Sequence, residues 1–184
     1  MNKLIILALL IFAGGLIMAD NPQVILKTNY GDITLELYPD KAPITVANFL
    51  QYVNDGFYEG VVFHRVIAGF MIQTGGFTAD GAHKEPGKPI KNEADNGLSN
   101  ELGTIAMART NVVDSATSQF FINAKDNTFL DHTPGNFGYC VFGKVISGLD
   151  VLKKIETTPT ANKKGMGDWP LENVIIQKAE VVKK

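Results

Sequence analysis

The chain has 184 residues, of which 45% are hydrophobic and 20% charged, and its formal net charge at pH 7 is -2. This length suits one domain with a sizeable core, and the weak charge balance argues against nucleic acid or an anionic membrane as the main partner. The single cysteine, Cys140, cannot form an internal disulfide. Because it lies in the apolar stretch YCVFG, we expect it to be a buried small hydrophobic residue.

Residues 1–19, MNKLIILALLIFAGGLIMA, have the features of a secretory signal peptide. One charged side chain, Lys3, precedes an apolar run that ends at the small residue Ala19, which matches the three regions of such a leader. We therefore expect export, cleavage after Ala19, and a mature domain of residues 20–184. An uncleaved anchor in the inner membrane is the less favoured alternative, because the apolar run is long for a leader.

The mature chain begins with an alternation of apolar residues that is typical of two strands. In QVILKTNYGDITLELYP, apolar residues occupy every second position on both sides of a turn near residues 30–32. A helix is predicted for APITVANFLQYVNDG, where Pro43 lies near the start and Gly56 follows the end. A second helix, SGLDVLKKIE, opens with Ser147 and Asp150 at the spacing of a capping box.

Six further segments have the length and composition of short strands. They are GVVFHRVI, GFMIQTGG, GTIAMA, SQFFINA, YCVFGKVI and NVIIQKAEVV. Many short strands with only two modest helices indicate an all-β barrel or sandwich with helices packed against it. We expect KKGMGDWP, residues 163–170, to be a solvated surface loop whose Trp169 folds against the barrel.

The stretch FHRVIAGFMIQTGG places two polar side chains in an apolar environment. Because alternate residues share a strand face, Arg65, Met71 and Gln73 point to the same side. A kink at Gly69 would turn Phe70 to that side as well. The sequence therefore predicts a guanidinium and a carboxamide beside a phenyl ring and a thioether on one sheet surface.

The stretch SQFFINA repeats this arrangement. Gln119 and Phe121 share one face of the predicted strand, and Phe120 and Ile122 share the other. Each residue alone has an ordinary structural interpretation, such as an edge polar group or a core phenylalanine. The two stretches together favour a binding surface.

These stretches resemble the cyclophilins, a family of peptidyl-prolyl cis-trans isomerases. FHRVIAGFMIQTGG and SATSQFFINA are similar to the two signature stretches of the family, YGDITLELYPDKAPITVANF to its opening hairpin and first helix, and VFGKVISGLDVLKKIE to its late strand and second helix. The resemblance covers residues 23–182 and implies a closed eight-stranded antiparallel β-barrel capped by two α-helices. With its leader and the stretch MARTNVVDSATSQFFI, the chain is most similar to the exported cyclophilins of Gram-negative bacteria, so the implied location is the periplasm.

The resemblance also implies the residues of the site. It gives the catalytic role to Arg65, with Gln73 holding the arginine and meeting the substrate backbone. The implied substrate-binding residues form a proline pocket and the groove beside it: Phe70, Met71, Ala108, Arg109, Gln119, Phe121, Phe129, Leu130 and Tyr139. Phe129 stands where many eukaryotic members have tryptophan, so the resemblance implies weak cyclosporin binding.

Two classes of function remain open from the residues. The first is a peptidyl-prolyl cis-trans isomerase that acts on proline-containing peptides and unfolded exported proteins, whose slow prolyl steps can limit folding. The second is a proline-peptide-binding chaperone with little turnover. The pair Arg65 and Gln73 favours the enzyme, because binding a proline ring needs only an apolar pocket. Isomerisation needs no cofactor, and the three histidines lack the spacing of a metal site. The family resemblance implies that the protein is a monomer.

Overall fold

The computed structural model describes residues 21–163 and 165–183. The predicted signal peptide, residues 1–19, lies outside the described residues. The strands are β1 (Gln23–Thr28), β2 (Gly31–Leu37), β3 (Arg65–Ile67), β4 (Met71–Thr74), β5 (Thr104–Met107), β6 (Phe120–Asn123), β7 (Val141–Ser147), β8 (Thr160–Lys163), β9 (Met166–Pro170) and β10 (Ile176–Val181). The helices are α1 (Pro43–Asn54) and α2 (Leu149–Glu156), and a 3-10 turn spans Thr128–Leu130.

Eight of these strands form one antiparallel sheet in the order β10-β1-β2-β7-β5-β6-β4-β3. The two ends of the sheet meet just before β3 and β10. There the amide of Phe63 donates to the carbonyl oxygen of Val174 at 2.9 Å, and that of Ile176 donates to Val61 at 2.8 Å. The predicted β fold with two helices is confirmed; the curled sheet is joined at its ends by these few bonds, without a continuous ladder between β3 and β10.

Helix α1 packs an aromatic side chain into the centre of the curled sheet. Pro43 occupies the first turn, where its missing N–H costs no hydrogen bond. Phe49 is fully buried, and its ring centroid lies 5.2 Å from that of Phe120 and 5.3 Å from that of Phe142. This packing supports the sheet from the side opposite the candidate site described below.

Helix α2 does not begin with the predicted capping box. Its N-cap is Gly148, at φ 92°, and no side chain caps the helix. A Cβ at Gly148 would collide with the carbonyl oxygen of Asp32. The prediction from Ser147 and Asp150 was wrong because close backbone packing makes a glycine the residue before the helix. Neither described helix has the length and apolar character to cross a membrane.

The prediction of a surface loop at residues 163–170 was also wrong. Met166–Pro170 forms β9, which pairs with β8 in a separate two-stranded sheet. Trp169 is fully buried, as expected for this side chain, and its indole N–H donates to Asn173 Oδ1 at 3.1 Å. The sequence around Gly165 and Gly167 has no alternation that would predict a strand, so tertiary anchoring through Trp169 decides the local structure.

Cys140 is confirmed as a buried residue. It is 2% exposed, and burial raises the pKa of its thiol to about 11. The thiol is therefore protonated at neutral pH and is a poor nucleophile.

Candidate functional site

Neighbouring residues in β4 and β6 place their side chains on opposite faces of the sheet. Ile72 and Ile122 belong to the main core, whereas Met71 and Phe121 belong to a second, smaller apolar cluster. Arg65 pairs with Gln73 across β3 and β4. The predicted alternation is confirmed, and the second cluster forms the floor of a candidate site on the outer face.

A tight turn at Gly69 brings Phe70 onto the same face. Gly69 has φ 65°, in the region that favours glycine, and Phe70 packs against the second cluster. The amide of Gly69 donates to Glu156 Oε2 at 3.0 Å. Glu156 is 3% exposed, and Lys153 Nζ donates to its other oxygen at 2.6 Å. A buried carboxylate on α2, which the sequence interpretation missed, therefore holds the turn that carries Phe70.

The outer face contains a cavity of about 150 Å³, called the ring pocket below. All predicted site residues except Gln119 and Phe129 line it: Arg65, Phe70, Met71, Gln73, Ala108, Arg109, Phe121, Leu130 and Tyr139. Pockets for drug-sized ligands hold about 300–1,000 Å³, so this volume suits a single side-chain ring.

A second cavity of about 160 Å³ adjoins the ring pocket. The two share Gln73, Ala108 and Arg109, and Gln119 lines the second one. Its remaining lining residues are Thr110, Ser115 and Thr117, which the sequence interpretation did not assign to the site. Because the two cavities share three lining residues, they form one groove in which the second cavity lies beside the ring pocket.

Two glutamines form the polar wall between the cavities. Gln73 Nε2 donates to Gln119 Oε1 at 2.9 Å. A Cβ at Gly76 would lie 2.5 Å from Gln119 Nε2, so Gly76 leaves the space that this carboxamide occupies. The structure shows Gln73 in this bond to Gln119 and, across β3 and β4, in register with Arg65; among the described residues no hydrogen bond joins Gln73 to Arg65, although Gln73 Oε1 is left open to accept one.

Arg65 has an acidic neighbour that the sequence did not suggest. Its Nε lies 3.8 Å from Asp168 Oδ2, and the two side chains are 43% and 47% exposed. Asp168 is in β9, within the segment expected to be a loop. No signal in the sequence places it beside Arg65, because the contact depends on how the β8-β9 hairpin folds onto the barrel.

Arg109 is a second cation at the rim, and it is held by backbone groups. Its Nε donates to the carbonyl oxygen of Gly138 and its Nη1 to that of Thr110, both at 2.9 Å. The guanidinium carbon lies 4.7 Å from the centroid of the Tyr139 ring, within range of a cation–π interaction. The lining of the two cavities contains Arg65 and Arg109 and no carboxylate.

Phe129 lies outside the ring pocket and covers one of its walls. It is 63% exposed, and its ring is nearly parallel to that of Phe70, at 22° and 5.8 Å between centroids. Phe129 therefore extends the apolar surface of the site outward without lining the pocket.

A network of buried amides fixes the 3-10 turn beside the pocket. Asn127 Nδ2 donates to the Phe70 carbonyl oxygen and to Asn123 Oδ1, both at 2.8 Å. Asn123 donates to Asn100 Oδ1 at 3.2 Å, and Asn100 donates to Asp131 Oδ1 at 2.8 Å. The sequence interpretation missed this network, although an asparagine at the end of the apolar strand FFIN was a signal.

His64 lies beside the site but lines neither of its two cavities. It is 5% exposed and its ring packs 4.8 Å from that of Phe77. Burial lowers the pKa of His64 to about 4. Within the described residues, His64 Nδ1 has no hydrogen-bond partner, and no cluster of three metal-ligating side chains occurs.

Larger cavities lie elsewhere on the surface. One of about 570 Å³ contains Tyr52 and Phe57, and one of about 970 Å³ contains Leu50 and Val181. Neither includes a predicted site residue. Cavity volume alone therefore does not locate the site. The site is located by Arg65 and the carboxamides of Gln73 and Gln119, which come together beside the apolar ring pocket.

Comparison with known proteins identifies the family. Residues 23–181 match the family described as cyclophilin type peptidyl-prolyl cis-trans isomerase/CLD. The chain is 50% identical over 179 residues to peptidyl-prolyl cis-trans isomerase A of Dickeya dadantii, covering 97% of this chain and 94% of that protein. It is 50% identical over 162 residues to peptidyl-prolyl cis-trans isomerase B of Escherichia coli, covering 86% of this chain and 99% of that protein.

A solved structure gives the same result for the fold. The chain is similar to a cyclophilin type peptidyl-prolyl cis-trans isomerase of Cryptosporidium parvum, crystallised in the presence of the dipeptide Ala-Pro, with a TM-score of 0.72 and 28% identity. The similarity covers 88% of this chain and 99% of that one. Since family, relatives and fold agree over nearly the whole described chain, the protein belongs to the cyclophilin-type peptidyl-prolyl cis-trans isomerases.

Proposed function

We propose that the enzyme isomerises X-Pro bonds at the ring pocket and that Arg65 is its catalytic residue. The observation that carries this proposal is a guanidinium at the edge of an apolar cavity the size of one ring. Among the described residues, the Arg65 side chain has no hydrogen-bond partner, and its ionic contact to Asp168 is through Nε. The terminal nitrogens therefore remain available as donors to a bound substrate.

The chemistry requires a donor and no covalent step. Rotation about an X-Pro bond breaks amide resonance, with a barrier of about 18–20 kcal/mol, and proceeds uncatalysed in tens to hundreds of seconds. In the twisted transition state the proline nitrogen regains its lone pair and becomes a better hydrogen-bond acceptor. A fixed guanidinium donor then stabilises the twisted form more than the planar one. A thousandfold acceleration needs about 4 kcal/mol of such differential binding.

The other groups of the site hold the substrate. Met71 and Phe121, which are 2% and 4% exposed, form a firm floor on which the proline ring would rest while the other side of the bond rotates. The bond between the two glutamines uses Gln73 Nε2 and Gln119 Oε1. It leaves Gln73 Oε1 as an acceptor and Gln119 Nε2 as a donor for hydrogen bonds with the substrate backbone. These residues orient the ring and backbone, so the rotating bond remains beside Arg65.

The proposed substrates are proline-containing segments of unfolded exported proteins in the periplasm. The signal-like residues 1–19 support export, and the Cryptosporidium relative crystallised with Ala-Pro supports binding of short proline peptides. The location is tested by fractionation of expressing cells and by N-terminal sequencing of the product. A mature N-terminus at Asp20 in the periplasmic fraction is expected; retention of Met1 in the membrane fraction would contradict cleavage.

The catalytic assignment is tested by cis-trans exchange in a short Ala-Pro-Phe peptide. We expect Arg65→Ala to lose most of the acceleration and Arg65→Lys to recover little of it, because lysine keeps the charge but not the planar fork. Peptide binding, followed by NMR, should survive in both variants because the apolar floor formed by Met71 and Phe121 is unchanged. Equal acceleration by parent and Arg65→Ala would refute the role of Arg65. Binding without acceleration by the parent would instead favour a peptide-binding chaperone.

We also propose that cyclosporin binds weakly and that the enzyme is a monomer. The weak binding is expected because Phe129 has no indole N–H to donate. Phe129→Trp restores that donor at an exposed position, so it should tighten cyclosporin binding measured by calorimetry, whereas unchanged affinity would contradict the explanation. Sedimentation velocity gives the oligomeric state directly.

A further inference from the structure

We propose that Asp168 is a positioning residue that orients the Arg65 guanidinium for catalysis. The inference rests on the proposed role of Arg65. Asp168 Oδ2 lies 3.8 Å from Arg65 Nε. Asp168 belongs to the β8-β9 hairpin, which contributes no lining residue to the ring pocket.

The backbone of Asp168 is in an unfavourable conformation. Its φ is 59°, and among the described residues it is the only non-glycine with a positive φ. Aspartate tolerates this region better than most residues, but glycine adopts it without cost. Glycine residues stand nearby at 165 and 167, yet position 168 carries a carboxylate. A residue kept in a strained conformation is a candidate for a functional role.

The residue after Asp168 anchors the hairpin to the barrel. Trp169 is fully buried, and the acceptor of its indole N–H, Asn173, donates in turn to the carbonyl oxygen of Ala79 at 3.3 Å. The Nζ of Lys163 also donates to Asn173 Oδ1, at 3.1 Å. Because these contacts fix both sides of the hairpin, the Asp168 carboxylate is held at a defined place next to β3.

The carboxylate faces one edge of the guanidinium. It approaches Nε, and this leaves the two terminal nitrogens of Arg65 unoccupied among the described residues. A charge at Nε limits rotation of the planar group, so the terminal donors are presented in a narrower range of orientations. Both side chains are about half exposed, so the pair adds little to stability. Its effect is on orientation, which enters the rate of the rotating step.

This geometry predicts an effect on kcat with little effect on KM. The proline ring binds to the apolar floor, which the Asp168 side chain does not touch, whereas the guanidinium acts mainly in the twisted transition state. Removal of the carboxylate should therefore lower kcat about twofold to fivefold, the range expected for an exposed ion pair. High salt should lower the kcat of the parent toward that of the variant, because salt screens the pair.

The test compares Asp168→Asn and Asp168→Gly in the purified protein. Asparagine keeps the shape and tolerates the positive φ, and glycine removes both the strain and the carboxylate. We expect both variants to lose the same factor in kcat, with KM unchanged and the salt dependence abolished. Asp150→Asn, which removes an exposed carboxylate from the first turn of α2, is the matched control and should retain parental kinetics. Urea unfolding and Trp169 fluorescence verify the fold of each variant.

The outcomes separate this inference from the proposed function. If Arg65→Ala is inactive but both Asp168 variants retain the parental kcat and salt dependence, Asp168 does not position the arginine. If Arg65→Ala is as active as the parent, the proposed function itself fails. In an Arg65→Lys background, Asp168→Asn should have no further effect on kcat; an undiminished loss there would show that Asp168 acts by a route other than Arg65.

Discussion

Acidification from pH 6.5 to pH 4 should weaken the fold through one buried histidine. His64 is 5% exposed, and its ring packs against Phe77 and, at 6.2 Å between centroids, against Trp169. Burial lowers the pKa of His64 from 6.5 to about 4, and the adjacent charge of Arg65 acts in the same direction. Protonating His64 would place a positive charge within this aromatic cluster.

The size and sign of the effect follow from proton binding. Below pH 6.5 the unfolded chain takes up a proton at His64, whereas the folded chain resists protonation until about pH 4. The contribution of neutral His64 to stability is therefore complete above pH 6.5 and is lost as the pH falls to about 4. An interval of about 2.5 pH units corresponds to about 3 kcal/mol of unfolding free energy. This is a large part of the about 5–15 kcal/mol typical of a domain.

The assay is urea unfolding at several pH values between 7.5 and 4, followed by the fluorescence of Trp169, the one tryptophan in the chain. Carboxylates also titrate in this range, so the informative quantity is the difference between the parent and His64→Gln. We expect the parent to lose about 3 kcal/mol more than this variant on acidification. His132→Gln, which removes an exposed histidine away from this cluster, is the matched control and should follow the parent. The same pH dependence in the parent and His64→Gln would refute the reasoning.

Substitutions at three further positions test the packing around the site. Gly75→Ala should lower the free energy of unfolding by about 2 kcal/mol in urea titrations, because Gly75 has φ 94° and its Cβ would lie 2.5 Å from a backbone oxygen. Gly76→Ala should instead displace the Gln119 carboxamide and lower kcat/KM severalfold with a smaller change in stability; equal stability losses in the two variants would contradict this distinction. Glu156→Ala should cost about 1 kcal/mol by removing the acceptor of the exposed Gly69 amide, and Glu156→Gln, which retains an acceptor, should cost less in the same titration.

The faces of the strands could be predicted because alternation is a local property of the chain. Successive residues of a strand point to opposite sides, so the sequence alone separated Met71 from Ile72 and Phe121 from Phe120. The structure confirms both separations. The turn at Gly69 could be predicted for a similar reason, because a glycine within an apolar run indicates a break in the strand.

The supporting contacts could not be predicted because they join distant segments. Glu156 reaches Gly69 only after α2 packs against the sheet, and Asp168 reaches Arg65 only after the hairpin folds onto β3. The error at residues 163–170 has the same origin, since the buried side chain of Trp169 imposes order on a segment rich in glycine. Local propensity had no information on any of these pairs.

The alternation that positions the site also determines which substitutions report on chemistry. Arg65 and His64 are neighbours on opposite faces, and the arginine side chain is 43% exposed whereas the histidine is buried. Replacing Arg65 therefore removes few packing contacts, and a loss of rate in Arg65→Ala measures lost transition-state stabilisation. Met71 and Phe121 differ, because each is both a wall of the ring pocket and a buried residue. Their truncation should cost about 2–5 kcal/mol of stability, so kinetic effects at these positions require a parallel unfolding measurement before they can be assigned to catalysis.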